Sequence, residues 1–142
     1  MATTIEEYAA HHTAVLRQLY LEARQQSFTW ADPQAFDLLD FDIATRGETI
    51  LVALSSGIPV GFIAWWPPDN FIHSLFVAPG EQGKGVGKEL LAAGLARMGR
   101  PATLKCLRQN QQALGFYEAR GWTRIGEGET TEGPYWLLVL PE

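Results

Sequence analysis

Between residues 12 and 25, Val15, Leu16, Leu19, Tyr20 and Ala23 recur at three- and four-residue spacing, which predicts an amphipathic helix. The segment 27–32 breaks that pattern. Asp32 before Pro33 then reads as a helix start, with Phe36, Leu39 and Ile43 carrying a second helix onward. From residue 49 the period changes. Residues 49–54 and 58–66 are β-rich apolar runs on either side of Ser55-Ser56-Gly57, so they predict a hairpin. Pro67 and Pro68 close its second strand, and residues 70–77, bounded by Pro79 and Gly80, add a third strand to an antiparallel meander.

Beyond Val77 the pattern changes again, because glycines at 83, 85 and 87 lead straight into Val86, Leu90, Leu91 and Leu95. A glycine-rich loop therefore opens into a helix that ends before Gly99 and Pro101. Residues 102–107 read as a strand, 110–119 as a short helix, and 122–125 and 135–140 as closing strands. A strand, helix, strand unit at the centre requires one parallel pair inside a mixed sheet. The expected fold class is thus α/β with a mixed (α+β) sheet: N-terminal helices, a meander, a central βαβ unit and a C-terminal hairpin. A length of 142 residues fits one domain spanning 1–142.

Composition narrows the function. With 46% hydrophobic and 19% charged residues the chain resembles soluble globular proteins. A formal charge of −5 lacks the broad basic surface that nucleic acids or anionic membranes require, so neither partner is expected. Cys106 is the single cysteine, which excludes an intramolecular disulfide and a multi-cysteine metal site and favours a reducing, cytoplasmic setting. The residues from Met1 to Glu7 carry neither a basic run nor an apolar core, so no signal peptide is expected.

The segment Gln82-Gly83-Lys84-Gly85-Val86-Gly87-Lys88 lies between a strand and a helix. Glycines let several backbone N–H groups converge on one anion, the helix start adds unpaired N–H groups, and Lys84 and Lys88 add charge. A Walker loop needs Gly-Lys followed by Ser or Thr, and the dinucleotide fingerprint needs Gly-x-Gly-x-x-Gly in an early βαβ unit; neither fits. Read alone, the segment suits an ordinary glycine-rich turn equally well.

Gln82-x-x-Gly85-x-Gly87 resembles the Q/R-x-x-G-x-G/A signature of the GCN5-related N-acetyltransferase (GNAT) family. The later run from Asn110 through Ala113, Phe116, Tyr117 and Gly121 to Trp122 resembles that family's N-x-x-A-x-x-F-Y-x-x-x-G-[FW] segment. The two motifs stand in the family's order, and the resemblance covers about residues 49–140.

The resemblance implies acetyl-CoA as co-substrate, no metal, and a clamp for its pyrophosphate made by Gln82, Gly83, Lys84, Gly85, Val86, Gly87 and Lys88. It also implies that the strand before the clamp splays from its neighbour, so that the backbone of Leu75, Phe76 and Val77 receives the pantetheine arm. Asn110 would contact that arm, or simply cap its helix. Tyr117 would donate a proton to the sulfur, and a phenol with a pKa of about 10 remains protonated at neutrality for that purpose.

The base is less constrained. His73 has an intrinsic pKa near about 6.5 suited to an ammonium proton, yet its alternation with Phe71 and Leu75 fits a structural face equally well. Glu48 or a water chain are the alternatives. The resemblance places the amine acceptor, a small molecule or a peptide, between the first helices and the central strands, near Phe28, Trp30, Trp65, Trp66 and His73. Tryptophans are more often core than ligand walls, and a core is the default reading for them. His11 and His12 read as a solvated helix start without metal-ligand spacing, and Cys106 as buried packing. The expected activity is direct acetyl transfer to a primary amine, against the alternative of a non-catalytic acyl-CoA sensor. No residue pattern selects between a monomer and a homodimer.

Overall fold

The computed structural model describes residues 3–141. Met1, Ala2 and Glu142, which bound the expected 1–142 domain and begin the segment read for a signal peptide, lie outside the described residues. The elements are β1 (Thr3–Glu7), α1 (Thr13–Ser27), α2 (Asp40–Ala44), β2 (Thr49–Ser55), β3 (Ile58–Trp66), β4 (Phe71–Val77), α3 (Val86–Arg97), β5 (Ala102–Leu107), α4 (Gln111–Glu118), β6 (Thr123–Thr130) and β7 (Gly133–Leu140). They form one seven-stranded sheet in the order β1-β2-β3-β4-β5-β7-β6. Only β4 and β5 run parallel, joined by the α3 crossover.

Alternation along β2 and β3 sends residues to two cores, as the two-residue strand period requires. Leu51, Ala53, Ile63 and Trp65 pack with Leu90 and Leu91 of α3, whereas Ile50, Val52, Phe62 and Ala64 pack with Leu16, Leu19 and Tyr20 of α1. Helices thus cover both faces of the sheet, leaving its interior strands dry.

Two expectations need correction. The single helix from Asp32 to Ile43 is split into a 3-10 turn, Pro33–Ala35, and the short α2. Asp32 does cap that turn, its Oδ1 accepting from Gln34 N–H at 2.9 Å. But Asp37 Oδ1 takes the Leu39 N–H at 2.8 Å and Asp40 Oδ2 takes the Asp37 N–H at 2.9 Å, local bonds that displace helical ones. Nor are both histidines before α1 solvated as read: His11 is exposed, but His12 is only 1% exposed. Its Nδ1 accepts from Ala9 N–H at 3.0 Å, so Nε2 carries the hydrogen and donates to Glu6 Oε1 at 3.1 Å. Glu6, His11 and His12 do converge, but this bonding leaves His12 no lone pair for a metal. The strand β1 was not foreseen.

The functional consequence of the topology lies between β4 and β5. Their parallel pairing amounts to Phe71 opposite Thr103 and Ile72 opposite Leu104. Past those pairs the strands diverge, so the backbone of Leu75 to Val77 that faces β5 has no strand partner.

Candidate active site

Gly83 and Gly85 both sit at φ +82°, a conformation that costs other L residues energy. Gly85 is the N-cap of α3, and a Cβ built there would meet no atom within 4 Å. The glycine is thus required by backbone shape, and the space above it is open. The first intrahelical bond runs from Glu89 N–H to Gly85 O at 3.0 Å, so the N–H groups of Val86, Gly87 and Lys88 have no helical acceptor. They point, with the positive end of the helix dipole, at that space.

A groove of about 410 Å³ starts at this loop. It is floored by Leu75, Phe76 and Val77 and walled by α4 through Asn110, Phe116 and Tyr117. Gln82, Gly83, Gly85, Val86, Gly87 and Lys88 line it too. Lys84 does not: it is exposed and pairs with Glu81 at 3.5 Å. Asn110 caps α4, its Oδ1 accepting from Ala113 N–H at 3.3 Å, and borders the groove as well. Arg120, which sequence reading passed over, also lines the groove, held by a bond to Phe116 O at 2.8 Å and stacked on that ring.

A second cavity of about 320 Å³ adjoins the first, and Leu75, Phe76, Asn110, Ala113 and Tyr117 line both. Tyr117 is 9% exposed and marks the junction. Burial, reinforced by Cys106, pushes its phenol well above the ordinary tyrosine value, so it stays protonated. Cys106 lines the second cavity, and burial raises its thiol to about 11, leaving it an inert neutral group near neutrality.

His73 occupies this second cavity for a reason its alternation could not show. The register changes from Ala64 opposite Ser74 to Trp65 opposite Ile72, so His73 is the extra residue of a β-bulge. A bulge re-aims its side chain. Nδ1 lies 2.8 Å from Ala44 O and 3.3 Å from Glu48 Oε2. Both neighbours are acceptors, so Nδ1 carries the hydrogen and the Nε2 lone pair remains available when the ring is neutral. The hydrogen bond to Glu48 is the largest effect on this imidazole and raises its pKa, against desolvation and the nearby Lys105. The Glu48 side chain is only 7% exposed, which strengthens its hold.

Of the aromatic residues read as acceptor walls, Phe28 lines the second cavity. Trp65 does not. It is 3% exposed and belongs to the core beneath α3, because β3 points it away from α1. Trp66 lies on the surface against Gly47. Trp30 packs on Phe28 with ring centres 5.2 Å apart and donates from Nε1 to Glu132 O at 2.9 Å, outside the lining itself. Arg24, Lys105, Glu132 and Tyr135 complete the cavity and were not foreseen. A lysine inside the otherwise apolar run Leu104 to Leu107 was the available signal.

The chain matches the model of the Acetyltransferase (GNAT) family over residues 4–122. It is 34% identical over 84 residues to the peptidyl-lysine N-acetyltransferase YjaB of Salmonella typhimurium, a match covering 58% of this chain and 56% of that protein. The chain thus spans just over half the length of the curated relatives it matches. The solution structure of apo YjaB from Escherichia coli superposes with a TM-score of 0.80 at 21% identity, covering 98% of this chain and 97% of the other. The PaiA N-acetyltransferase of Thermoplasma acidophilum, solved in complex with coenzyme A, gives 0.81 at 17% identity and covers 100% of both chains.

Proposed function

The chain belongs to the GNAT acetyltransferase family, and from that premise we propose that it transfers an acetyl group from acetyl-CoA to a primary amine by direct attack. The observation that carries this reading is the buried phenol of Tyr117 at the junction of two cavities, one opening on a helix N-terminus and the other on a histidine with a lone pair to use.

The first cavity fits coenzyme A. Backbone N–H groups of residues 86–88 and the Lys88 side chain answer a diphosphate, and the unpaired edge of β4 at residues 75–77 answers the amide groups of a pantetheine arm. Acetyl-CoA supplies an activated thioester. The acceptor nitrogen enters from the second cavity as a neutral amine, and its bond to the acetyl carbon forms as the carbon–sulfur bond breaks. His73 Nε2 takes the amine proton. Tyr117 gives its proton to the departing sulfur, whose negative charge the buried site would otherwise leave unmet. Solvent then restores the phenol.

An acyl-CoA sensor would have no use for a proton donor at this junction. Thiol release from acetyl-CoA, measured across a panel of amines, tests the proposal. Release that depends on the acceptor supports it, and an unchanged background rate with every amine refutes it. The peptidyl-lysine activity named for YjaB makes a lysine peptide one arm of the panel. Among the described residues no helix is long and apolar enough to cross a membrane. A location in the cytoplasm agrees with the single reduced cysteine, and acceptor delivery needs no lipid or nucleic-acid surface.

A further inference from the structure

The charges around the second cavity are unevenly neutralised, and we infer that the acceptor is a small apolar α-amino acid whose carboxylate is held by Lys105. This deepens the acyl-transfer reading and rests on it. Arg24 is the buried cation of the cavity, 7% exposed, but it is already committed. Its Nη2 donates to Asp40 Oδ2 at 3.0 Å, its Nε lies 3.3 Å from Tyr20 O, and its plane rests over the rings of Tyr20 and Phe36. His73 faces Glu48. Glu132, on the turn between β6 and β7, is an anion that accepts from the neutral Thr131 Oγ1 at 3.0 Å, which leaves its charge uncancelled.

Lys105 is different. Its ammonium lies 4.9 Å from the centre of the Tyr135 ring and 6.0 Å from that of Phe71, and among the described residues no carboxylate reaches it. Aromatic faces steady a cation without cancelling its charge. The same ammonium is close enough to His73 to oppose its protonation. A carboxylate bound at Lys105 would therefore stand beside the imidazole. In an α-amino acid the amine and the carboxylate share one carbon, so anchoring the carboxylate there sets the nitrogen against the group that removes its proton.

Size and lining point the same way. The cavity holds about 320 Å³, room for one amino acid, and Phe28, Phe71, Leu75 and Tyr135 give it apolar walls. The Trp30 bond to Glu132 O ties the segment after α1 to the β6–β7 turn, two of the segments that wall the cavity.

The test compares phenylalanine with phenethylamine, which lacks only the carboxylate, and with a lysine-containing peptide, in wild type, Lys105→Met and Lys105→Arg. Methionine keeps the aliphatic packing on Tyr135. Wild type should prefer phenylalanine over phenethylamine in kcat/KM by about 10- to 100-fold, the range expected of a charge-assisted contact. Lys105→Met should abolish that preference through KM, and Lys105→Arg should restore most of it. A wild type that uses phenethylamine or the peptide as well as phenylalanine overturns the inference while leaving acyl transfer standing. So does an undiminished preference in Lys105→Met. Should no acceptor release thiol, acyl transfer itself fails, and calorimetry of phenylalanine with the CoA-loaded protein decides the site. Binding lost in Lys105→Met upholds it, and no binding to wild type overturns it.

Discussion

Replacing Gly85 by Asn and by Asp separates backbone shape from charge at the loop before α3. At φ +82° most L residues carry a cost of roughly 1–2 kcal/mol, but Asn and Asp tolerate this region and share one shape. With no atom within 4 Å of a Cβ, neither replacement collides with the fold, and both variants should melt near the wild-type temperature. Their difference is one negative charge. If the N–H groups of residues 86–88 hold a diphosphate, that charge stands about 6 Å from it, where two unit charges repel by about 0.7 kcal/mol in water and about 2.8 kcal/mol at an effective dielectric of about 20. Counting about two phosphate charges, reduced by a screening length of about 8 Å, the carboxylate should cost about 0.7–2.6 kcal/mol of coenzyme binding. That is a rise in Kd of about 3- to 80-fold for Gly85→Asp over Gly85→Asn. Isothermal calorimetry with coenzyme A reads the difference, and salt should shrink it. Equal affinities for the two variants at low salt would show that the diphosphate lies elsewhere, whatever the effect of either on folding.

Tyr117→Phe should bind acetyl-CoA nearly as wild type does but lose about 10²-fold or more in kcat, and equal turnover would remove the phenol from the reaction. His73 serves as a base only when neutral, so kcat/KM should rise with pH through a pKa above the ordinary histidine value. Glu48→Gln, by removing the main cause of that elevation, should move the rise to lower pH, and an unmoved profile would assign the limb to another group. A raised histidine pKa stabilises the fold below the unfolded value and ceases to do so as pH climbs through the folded one. The melting temperature lost in Glu48→Gln should accordingly be larger near about pH 5.5 than near about pH 8.5. Trp122 Nε1 is buried without a hydrogen-bond partner among the described residues, so Trp122→Phe sheds an orphan donor along with some volume. Denaturant unfolding should show a loss under about 1.5 kcal/mol for Phe and about 3–5 kcal/mol for Ala.

The strands from 49 to 66 were legible because their side chains are buried on both faces, and their turns are marked by Gly and Pro. The edge strand β1 was not, since Ile5 is its one apolar residue and a polar edge carries no period to read. The second helix failed at Asp37 and Asp40, residues that interrupt it through bonds to neighbouring backbone rather than through any change of hydrophobic pattern. Trp65 and Trp66 show a further limit. Adjacent strand residues must point to opposite sides, yet which side faces α1 depends on how β3 pairs with its neighbours.

The same distinction divides the site. The loop from 82 to 88 is a local object, since its glycines, its helix start and its lysines are consecutive, and its shape follows from short-range sterics. The second cavity is assembled from α1, β4, β5, α4 and the β6–β7 turn, of which β5 and α4 are neighbours in sequence and the others are not. His73 enters it only because one extra residue in β4 slips the register against β3, and Lys105 only because β5 parts from β4 after Leu104. Both are consequences of strand pairing, which acts across the sheet rather than along either strand. On the proposed function, the residues that would hold coenzyme therefore announce themselves in a motif, whereas those that would choose the acceptor can change from one chain to the next while the sheet that gathers them stays the same.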